Sequence, residues 1–336
     1  MPDLRVTIGS LILDNPVLAA AGTVGYGVEF AHAVRLDRLG ALITKTLTRH
    51  PRQGHPPPRL VETPAGMLNA VGLQNIGLEP FLREKLPLLR PFRVPVIVSI
   101  LGDSPEDVAW MAQQLDRADG VAAIELNLSC PNLNRIADCG LRIADSKDRQ
   151  SEIDNPKSEM VKMVAQDPEA TQAIVRAARA QTAKPLIAKL SPDVTDLVPI
   201  AQAAERAGAS GLSIGNTFVG MSLDPSTRRS RLGMLTGGLS GPAIRPLAVY
   251  RVWYTAQAVS VPIIGVGGIV RAEDAVEFFL AGATAVAVGT ANFADPRAPV
   301  RVLQGLTRYL RKHQVGSLRE LRGAVNPVPR KPRGTG

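Results

Sequence analysis

Eight short aliphatic runs, with helical stretches between them, constrain this chain more than any other feature of its sequence. They are Pro16–Gly22, Ala41–Thr48, Pro95–Gly102, Ala122–Cys130, Pro185–Pro192, Gly211–Thr217, Pro262–Ile269 and Ala285–Asn292. The runs are apolar almost throughout instead of alternating, which marks strands buried on both faces, as in a parallel sheet. Helices are predicted over Pro105–Asp116, Glu169–Gln181, Asp196–Ala207 and Ala272–Leu280, most with Asp, Ser, Thr or Pro near their starts. Strand–helix alternation carried through eight units predicts an α/β fold, a closed (β/α)8 TIM barrel and not an open doubly wound sheet. Leu4–Leu13 reads as a small hairpin capping the barrel's N-terminal end. The 336 residues fit one barrel domain over 1–325, followed by a basic tail over 326–336.

Composition agrees. Hydrophobic content of 45% with 21% charged residues suits a large buried core, and 30 Gly with 27 Pro suit tight loops. No uncharged apolar run approaches the roughly 18 residues of a membrane span. The opening Met1-Pro2-Asp3-Leu4-Arg5 lacks the features of a signal peptide. Two cysteines, Cys130 and Cys139, cannot build a disulfide framework and fit a cytoplasmic protein; their spacing suits neither a zinc knuckle nor a CxxC pair. The net charge of +9 is partly in Arg330-Lys331-Pro332-Arg333 and otherwise dispersed, which argues against nucleic acid as a partner.

In such a barrel the chemistry belongs at the C-terminal strand ends. These carry Gly22, Thr23, Lys45, Thr46, Ser99, Asn127, Ser129, Cys130, Lys189, Ser191, Asn216, Thr217, Gly267, Gly268, Gly289 and Thr290. Lysines on buried strands are costly unless each meets an anion or an electron-rich ligand, so Lys45 and Lys189 point to one. Gly265-Val266-Gly267-Gly268-Ile269 and Val288-Gly289-Thr290-Ala291 close the seventh and eighth strands, where barrels hold phosphate on backbone N–H groups. The glycine spacing is not G-x-G-x-x-G, so a mononucleotide such as FMN fits better than an adenine dinucleotide. Glu125-Leu126-Asn127-Leu128-Ser129-Cys130-Pro131-Asn132 closes the fourth strand. Its Asn residues offer donor and acceptor to a planar amide or imide. A thiol beside them can remove a proton, although a free pKa of about 8.5 makes it a weak base without help.

That segment resembles the active-site motif of class 1 dihydroorotate dehydrogenases. The resemblance extends through Lys45-Thr46, Pro51-Arg52-Gln53-Gly54, Asn69-Ala70-Val71-Gly72-Leu73-Gln74-Asn75, Lys189-Leu190-Ser191-Pro192, Gly238-Leu239-Ser240-Gly241-Pro242-Ala243-Ile244 and Val288-Gly289-Thr290-Ala291-Asn292-Phe293. The Gly-Leu-Gln-Asn and Gly-Leu-Ser-Gly-Pro-Ala-Ile versions are most similar to the NAD-linked (B) subclass. The resemblance implies FMN-dependent oxidation of dihydroorotate to orotate in pyrimidine biosynthesis. Cys130 would take the C5 proton while hydride passes from C6 to flavin N5. Lys45, Asn69, Asn127, Asn132, Asn216 and Thr217 would bind the substrate, with backbone donors at Gly72 and Leu73. Lys189 would stabilise negative charge on the flavin. Ala21, Gly22, Lys45, Thr46, Ser99, Asn127, Ile214, Ser240, Gly241, Gly267, Gly268, Gly289 and Thr290 would complete the flavin site. The subclass further implies a homodimer working with a second subunit that carries FAD and a [2Fe–2S] cluster. No membrane partner is implied, and no metal site on this chain.

The pattern breaks after Asn132, where residues 133–166 exceed the short loop of the family before Asp167-Pro168. The segment Asp145–Glu152 is strongly charged and Lys157–Val164 is a candidate short helix, so the insertion reads either as a solvated excursion or as a lid or docking element. In Ile214-Gly215-Asn216-Thr217 a glycine stands where the family has a bulkier residue. Alternatives stay open: a related FMN barrel acting on uracil or thymine, or a non-enzymatic scaffold with a blocked site. A tRNA dihydrouridine synthase would need a further RNA-binding domain, for which the segment after Asn292 is too short.

Overall fold

The computed structural model of this chain describes residues 2–129 and 164–326. The chain opens with the hairpin β1 (Val6–Ile8) and β2 (Leu11–Leu13), then enters the barrel at β3 (Val17–Ala19) and β4 (Ala41–Ile43). An antiparallel pair follows, β5 (Leu60–Thr63) and β6 (Gly66–Asn69). A helical run, α1 (Leu78–Pro80) to α2 (Leu86–Leu89) through a π-turn over Phe81–Lys85, leads to β7 (Val96–Ile100). Then come α3 (Pro105–Arg117), β8 (Val121–Asn127), α4 (Pro168–Arg179), β9 (Leu186–Leu190), α5 (Val198–Arg206) and β10 (Gly211–Ile214). The short strands β11 (Phe218–Gly220), β12 (Leu223–Asp224), β13 (Arg229–Ser230) and β14 (Gly237–Ser240) precede α6 (Arg245–Ala256). The chain continues through β15 (Ile263–Val266), α7 (Ala272–Leu280), β16 (Ala285–Val288), α8 (Ala291–Ala294) and α9 (Ala298–Lys312).

The barrel closes in the order β10-β15-β16-β3-β4-β7-β8-β9, and every pairing in it is parallel. All eight expected strands are present. β3, β4, β7, β9, β10 and β16 are buried at every position, which explains why their sequences do not alternate. The observed ladders are shorter than the apolar runs. Beyond β4, for example, the Lys45 N–H donates to the Gly25 carbonyl outside the barrel ladder, and the chain meets β7 again at the isolated parallel bridge of Leu47 with Ile100.

The helices start where their caps dictate. In α3 the Ser104 hydroxyl accepts from the Asp107 N–H at 3.2 Å and Pro105 occupies the first turn. Its buried residues Val108, Met111, Ala112 and Leu115 fall at helical spacing on one face. Asp167 caps α4 in the same way, accepting from the N–H groups of Glu169 and Ala170. The β1–β2 hairpin sits at the N-terminal end of the barrel: a Cβ on Gly211, at the start of β10, would come within 2.8 Å of the Ile8 side chain. Glycine at that position lets the hairpin seal the barrel floor.

A four-stranded antiparallel sheet, β11-β14-β6-β5, was not expected from the sequence. It is built from the excursions that leave the C-terminal ends of β4 and β10, so it covers the opposite, open end of the barrel. Close approach requires glycine there. A Cβ on Gly237 would lie 2.8 Å from the Asn69 carbonyl oxygen, and one on Gly238 would collide with the Thr217 side chain. The expected insertion and the short helix within it lie outside the described residues, apart from a 3-10 turn over Val164–Gln166. The basic tail from residue 327 onward lies outside them as well. Among the described residues no helix is long and apolar enough to cross a membrane, and none of their His, Cys, Asp and Glu cluster as a metal site would require.

Candidate active site

A cleft opens between the C-terminal strand ends and the β11-β14-β6-β5 sheet. Ala21, Gly22, Lys45, Thr46, Asn127 and Lys189 line it from the barrel. Asn69, Leu73, Asn216, Thr217, Ser240 and Gly241 line it from the covering loops and sheet, and Gly267, Gly268, Gly289 and Thr290 from the last two strand ends. Of the remaining expected residues, Ser99 is fully buried one layer below and Ile214 is fully buried in β10. Gly72 is turned toward the His55 ring. Cys130 and Asn132 lie outside the described residues.

Two lysines and no Asp or Glu are found among the described residues that line this cleft. Lys189 is 6% exposed and stands between Asn127 on β8 and Ser213 on β10 in strand register. Among the described residues it forms no ion pair. An ammonium taken that far from water costs several kcal/mol by order of magnitude unless a ligand supplies negative charge. The cleft is therefore electrostatically prepared for an anion.

The amides are held by explicit partners. Asn127 donates to the Thr46 hydroxyl at 3.0 Å and accepts from the Ser129 hydroxyl at 3.2 Å. Asn216 donates to the Ser129 hydroxyl and carbonyl, both at 2.9 Å, and accepts from the Thr217 N–H at 2.8 Å. Asn69 donates to the Gly238 carbonyl at 3.2 Å, tying β6 to β14 across the cleft roof. Leu73 is one of the few non-glycine residues with positive φ, at 58°. The Asn75 side chain holds it there, donating to the Leu73 carbonyl at 2.8 Å while accepting from the N–H groups of Thr48 and Gly77. Left-handed backbone costs a branched residue roughly 1–3 kcal/mol, and such strain persists where the surroundings enforce it.

The glycine turns have the shape of a cradle. Gly267 and Gly268 have φ of 138° and 69°, and Gly241 has 98°. A Cβ on Gly268 would lie 2.9 Å from the Gly241 carbonyl oxygen and 3.0 Å from the Arg245 nitrogen. The loop is clamped from below by Asp274, whose side chain accepts from the N–H groups of Val270 and Arg271 at 2.9 and 3.0 Å and pairs with Arg245. Gly22, with φ of 79°, has nothing within 4 Å of a would-be Cβ, so a side chain there would enter the cleft. Bare backbone at one end, two lysines and two amides at the other, suit a flat ring carrying a phosphate.

Sequence reasoning passed over several lining residues. Leu60 and Met67 were missed because their sheet was missed. Phe293 stands half exposed at the cleft edge, and a large aromatic in a chain with 4% aromatics was the available signal.

Comparison with known proteins decides among the chemistries this cleft allows. The family model described as dihydroorotate dehydrogenase matches residues 3–310. The chain belongs to the dihydroorotate dehydrogenase family. It is 47% identical over 324 residues to the dihydroorotate dehydrogenase B (NAD(+)) catalytic subunit of Geotalea uraniireducens, covering 96% of this chain and 98% of that one. The proteins of the same name from Geotalea daltonii and Thermodesulfovibrio yellowstonii are 48% and 44% identical, with 96% of this chain covered and 98% and 99% of theirs. Dihydroorotate dehydrogenases are flavin-dependent oxidoreductases, in keeping with a cleft shaped for a flat phosphate-bearing ring.

Proposed function

We propose that this chain is the catalytic subunit of a B-type dihydroorotate dehydrogenase, a single cytoplasmic barrel domain over residues 1–325 that binds FMN and oxidises (S)-dihydroorotate to orotate for pyrimidine synthesis. The observation that carries this reading is the cleft lining: a buried Lys189 that forms no ion pair among the described residues, beside the amides of Asn69, Asn127 and Asn216. The backbone at Gly241, Gly267, Gly268, Gly289 and Thr290 holds the phosphate, where side chains would stand in its way. Lys45, Thr46, Asn127 and Lys189 hold the ring. Ser99 acts through Thr46, whose hydroxyl it touches at 3.0 Å, and Ile214 packs beneath. When bound, the flavin supplies the acceptor for a hydride from substrate C6.

The chain's own residues do the rest. Asn69, Asn127, Asn132 and Asn216 pair with the donor and acceptor edge of the pyrimidine, and Lys45 and Thr217 hold its carboxylate, with backbone donors at Gly72 and Leu73. Cys130 removes the C5 proton, so that loss of one proton and one hydride leaves the C5–C6 double bond of orotate. The fixed charge of Lys189 favours negative charge at the cleft floor without reorganisation during the reaction. Electrons leave through a second subunit carrying FAD and a [2Fe–2S] cluster, in an assembly built on a homodimer of this chain.

The test is an anaerobic titration of the purified protein, following its flavin absorbance as dihydroorotate or dihydrouracil is added. Bleaching by dihydroorotate alone is the expected result. Bleaching by dihydrouracil instead would move the substrate to uncarboxylated pyrimidines, and a protein that binds no flavin would overturn the reading.

A further inference from the structure

At the end of the barrel opposite the cleft, a recess of about 520 Å³ opens between the β1–β2 hairpin, the starts of β15 and β16 and the segment that follows α9. Its walls are largely apolar, with Val6, Val261, Ile263, Ala283 and Leu318 among the residues that line it. Its charge is one-sided. Arg5, Arg319 and Arg322 stand around it, and no Asp or Glu lines it among the described residues. Asp3 pairs with Arg5 at 3.1 Å, whereas Arg319 and Arg322 have no ion-pair partner among the described residues.

These arginines come from distant parts of the chain, and the backbone that carries them is pinned. The Asp3 N–H donates to the Gly316 carbonyl and the Leu318 N–H to the Asp3 carbonyl, which joins the segment before β1 to the one after α9. Arg319 lies in a 3-10 turn over Leu318–Glu320 that Ser317 and Glu320 cap reciprocally. Past it, the Gly323 N–H donates to the Phe279 carbonyl in α7, and the Arg322 Nε to the Gly282 carbonyl at 3.3 Å. That bond uses one N–H of the guanidinium and leaves its Nη groups without a partner among the described residues. Loss of water around Arg322 lowers its pKa from the ordinary value, and no carboxylate offsets the shift. Thr284, in the same lining, is 7% exposed, and its hydroxyl is buried with no partner among the described residues.

Unbalanced cations around an apolar recess call for an anion with an apolar body. Guanidinium forks match phosphate oxygens two at a time, and a recess of this size holds more than a bare phosphate. We propose that the recess is a binding site for phosphate monoesters of nucleotide size, with Arg319 and Arg322 holding the phosphate and the wall of Val6, Val261 and Leu318 receiving the organic part. The site is separate from the flavin cleft. Ile263 opens β15 and Thr284 immediately precedes β16, and it is the far ends of those strands that lead into Gly267 and Gly289.

The experiment is calorimetric titration of the full chain at low salt, kept saturated with FMN so that the cleft is filled. The probes are adenosine monophosphate, uridine monophosphate, the two free nucleosides and inorganic phosphate. The monophosphates bind, the nucleosides give no heat, and inorganic phosphate binds at least about tenfold more weakly than the esters, for want of the apolar contact. Arg319→Gln and Arg322→Gln each weaken the monophosphates about tenfold, and added salt weakens them more in wild type than in either variant. Turnover of dihydroorotate stays unchanged in both variants, since neither residue lines the cleft. Should Arg322→Gln not fold, Arg319→Gln carries the same readings. No heat from either monophosphate at millimolar concentration would overturn the proposal. So would affinities within about twofold of wild type in the variants, or nucleosides or phosphate that bind as tightly as the esters.

Discussion

Replacing Lys189 with methionine should move stability and cofactor affinity in opposite directions. Lys189 is 6% exposed on a strand buried at every position, and among the described residues it has no ion-pair partner. Burying an ammonium costs several kcal/mol after relaxation, and because this one lines the cleft, water recovers part of that. A residual penalty of about 1–3 kcal/mol is the reasonable magnitude for the flavin-free protein. Methionine keeps the unbranched stem and removes the charge. The stripped Lys189→Met protein should therefore melt higher than stripped wild type, by about 2–6 °C at roughly 2 °C per kcal/mol for a chain of this size. The same change removes one charge-assisted contact to the ring, worth about 1.5–3 kcal/mol, so FMN should bind about 10- to 150-fold more weakly. Both quantities come from one set of samples: melting at a fixed scan rate with and without FMN, and fluorescence titration of the stripped protein. A variant that melts lower than wild type when stripped, or that binds FMN as tightly, would refute the electrostatic account of this lysine.

Four further substitutions test other parts of the cleft. Cys130→Ala should retain the yellow flavin and lose at least about 100-fold in turnover, the usual worth of a positioned base; steady-state rates near wild type would remove the base assignment. Gly268→Ala places a Cβ at φ 69° and 2.9 Å from the Gly241 carbonyl, so it should cost about 1–2 kcal/mol and sharply reduce FMN retention after gel filtration. Gly289→Ala, whose Cβ would meet only ordinary contacts from 3.6 Å outward, should stay within about 0.5 kcal/mol of wild type and serves as the control for the stability loss alone. Asp274→Ala strips two backbone N–H groups and Arg245 of their buried acceptor, so denaturant unfolding should show a loss of about 3–5 kcal/mol. A loss below about 1 kcal/mol there would mean that the loop holds its shape without the clamp.

The barrel was legible because its strands carry no polar alternation. Runs such as Leu186–Leu190 and Ala285–Val288 are buried at every position, and that burial writes itself into composition. The covering sheet was not legible for the converse reason. Its strands are three or four residues long, mix burial with exposure, and pair across the chain, Asn69 with Gly238 for instance, so neither period nor proximity announces them. Strand ends overran in the reading because pairing past the ladder is intermittent: Lys45 and Thr46 follow β4 outside any strand, and Leu47 then pairs with Ile100 as an isolated bridge. The lysines and asparagines of the cleft could be read from position alone. The left-handed Leu73 and its Asn75 brace could not, since nothing in Gly72-Leu73-Gln74-Asn75 says which residue takes positive φ.

Glu125, a buried residue whose carboxyl accepts from the Ser99 hydroxyl at 2.8 Å, shows where such reading stops and where it could go further. Its signal was present, a charged residue inside the run Ala122-Ala123-Ile124-Glu125-Leu126, at a position whose neighbours are all buried. Strand register alone places Ser99 opposite it and Lys189 opposite Asn127, two residues further on. What register cannot supply is the direction of the hydrogen bonds, because hydroxyls and amides are ambivalent and fixed backbone groups resolve them, the Ser129 N–H for Asn127 and the Ser129 carbonyl and Thr217 N–H for Asn216. The cleft thus separates two tasks. Under the proposed function, lysines would provide charge where a phosphate-bearing ring and a carboxylated substrate need it, and amides would read a neutral ring edge. A charge acts at a distance and tolerates imprecise placement, whereas an amide turned the wrong way presents a donor where an acceptor is required. That difference explains why the amides of Asn127 and Asn216 are each held by a backbone N–H that cannot reverse its role, those of Ser129 and Thr217.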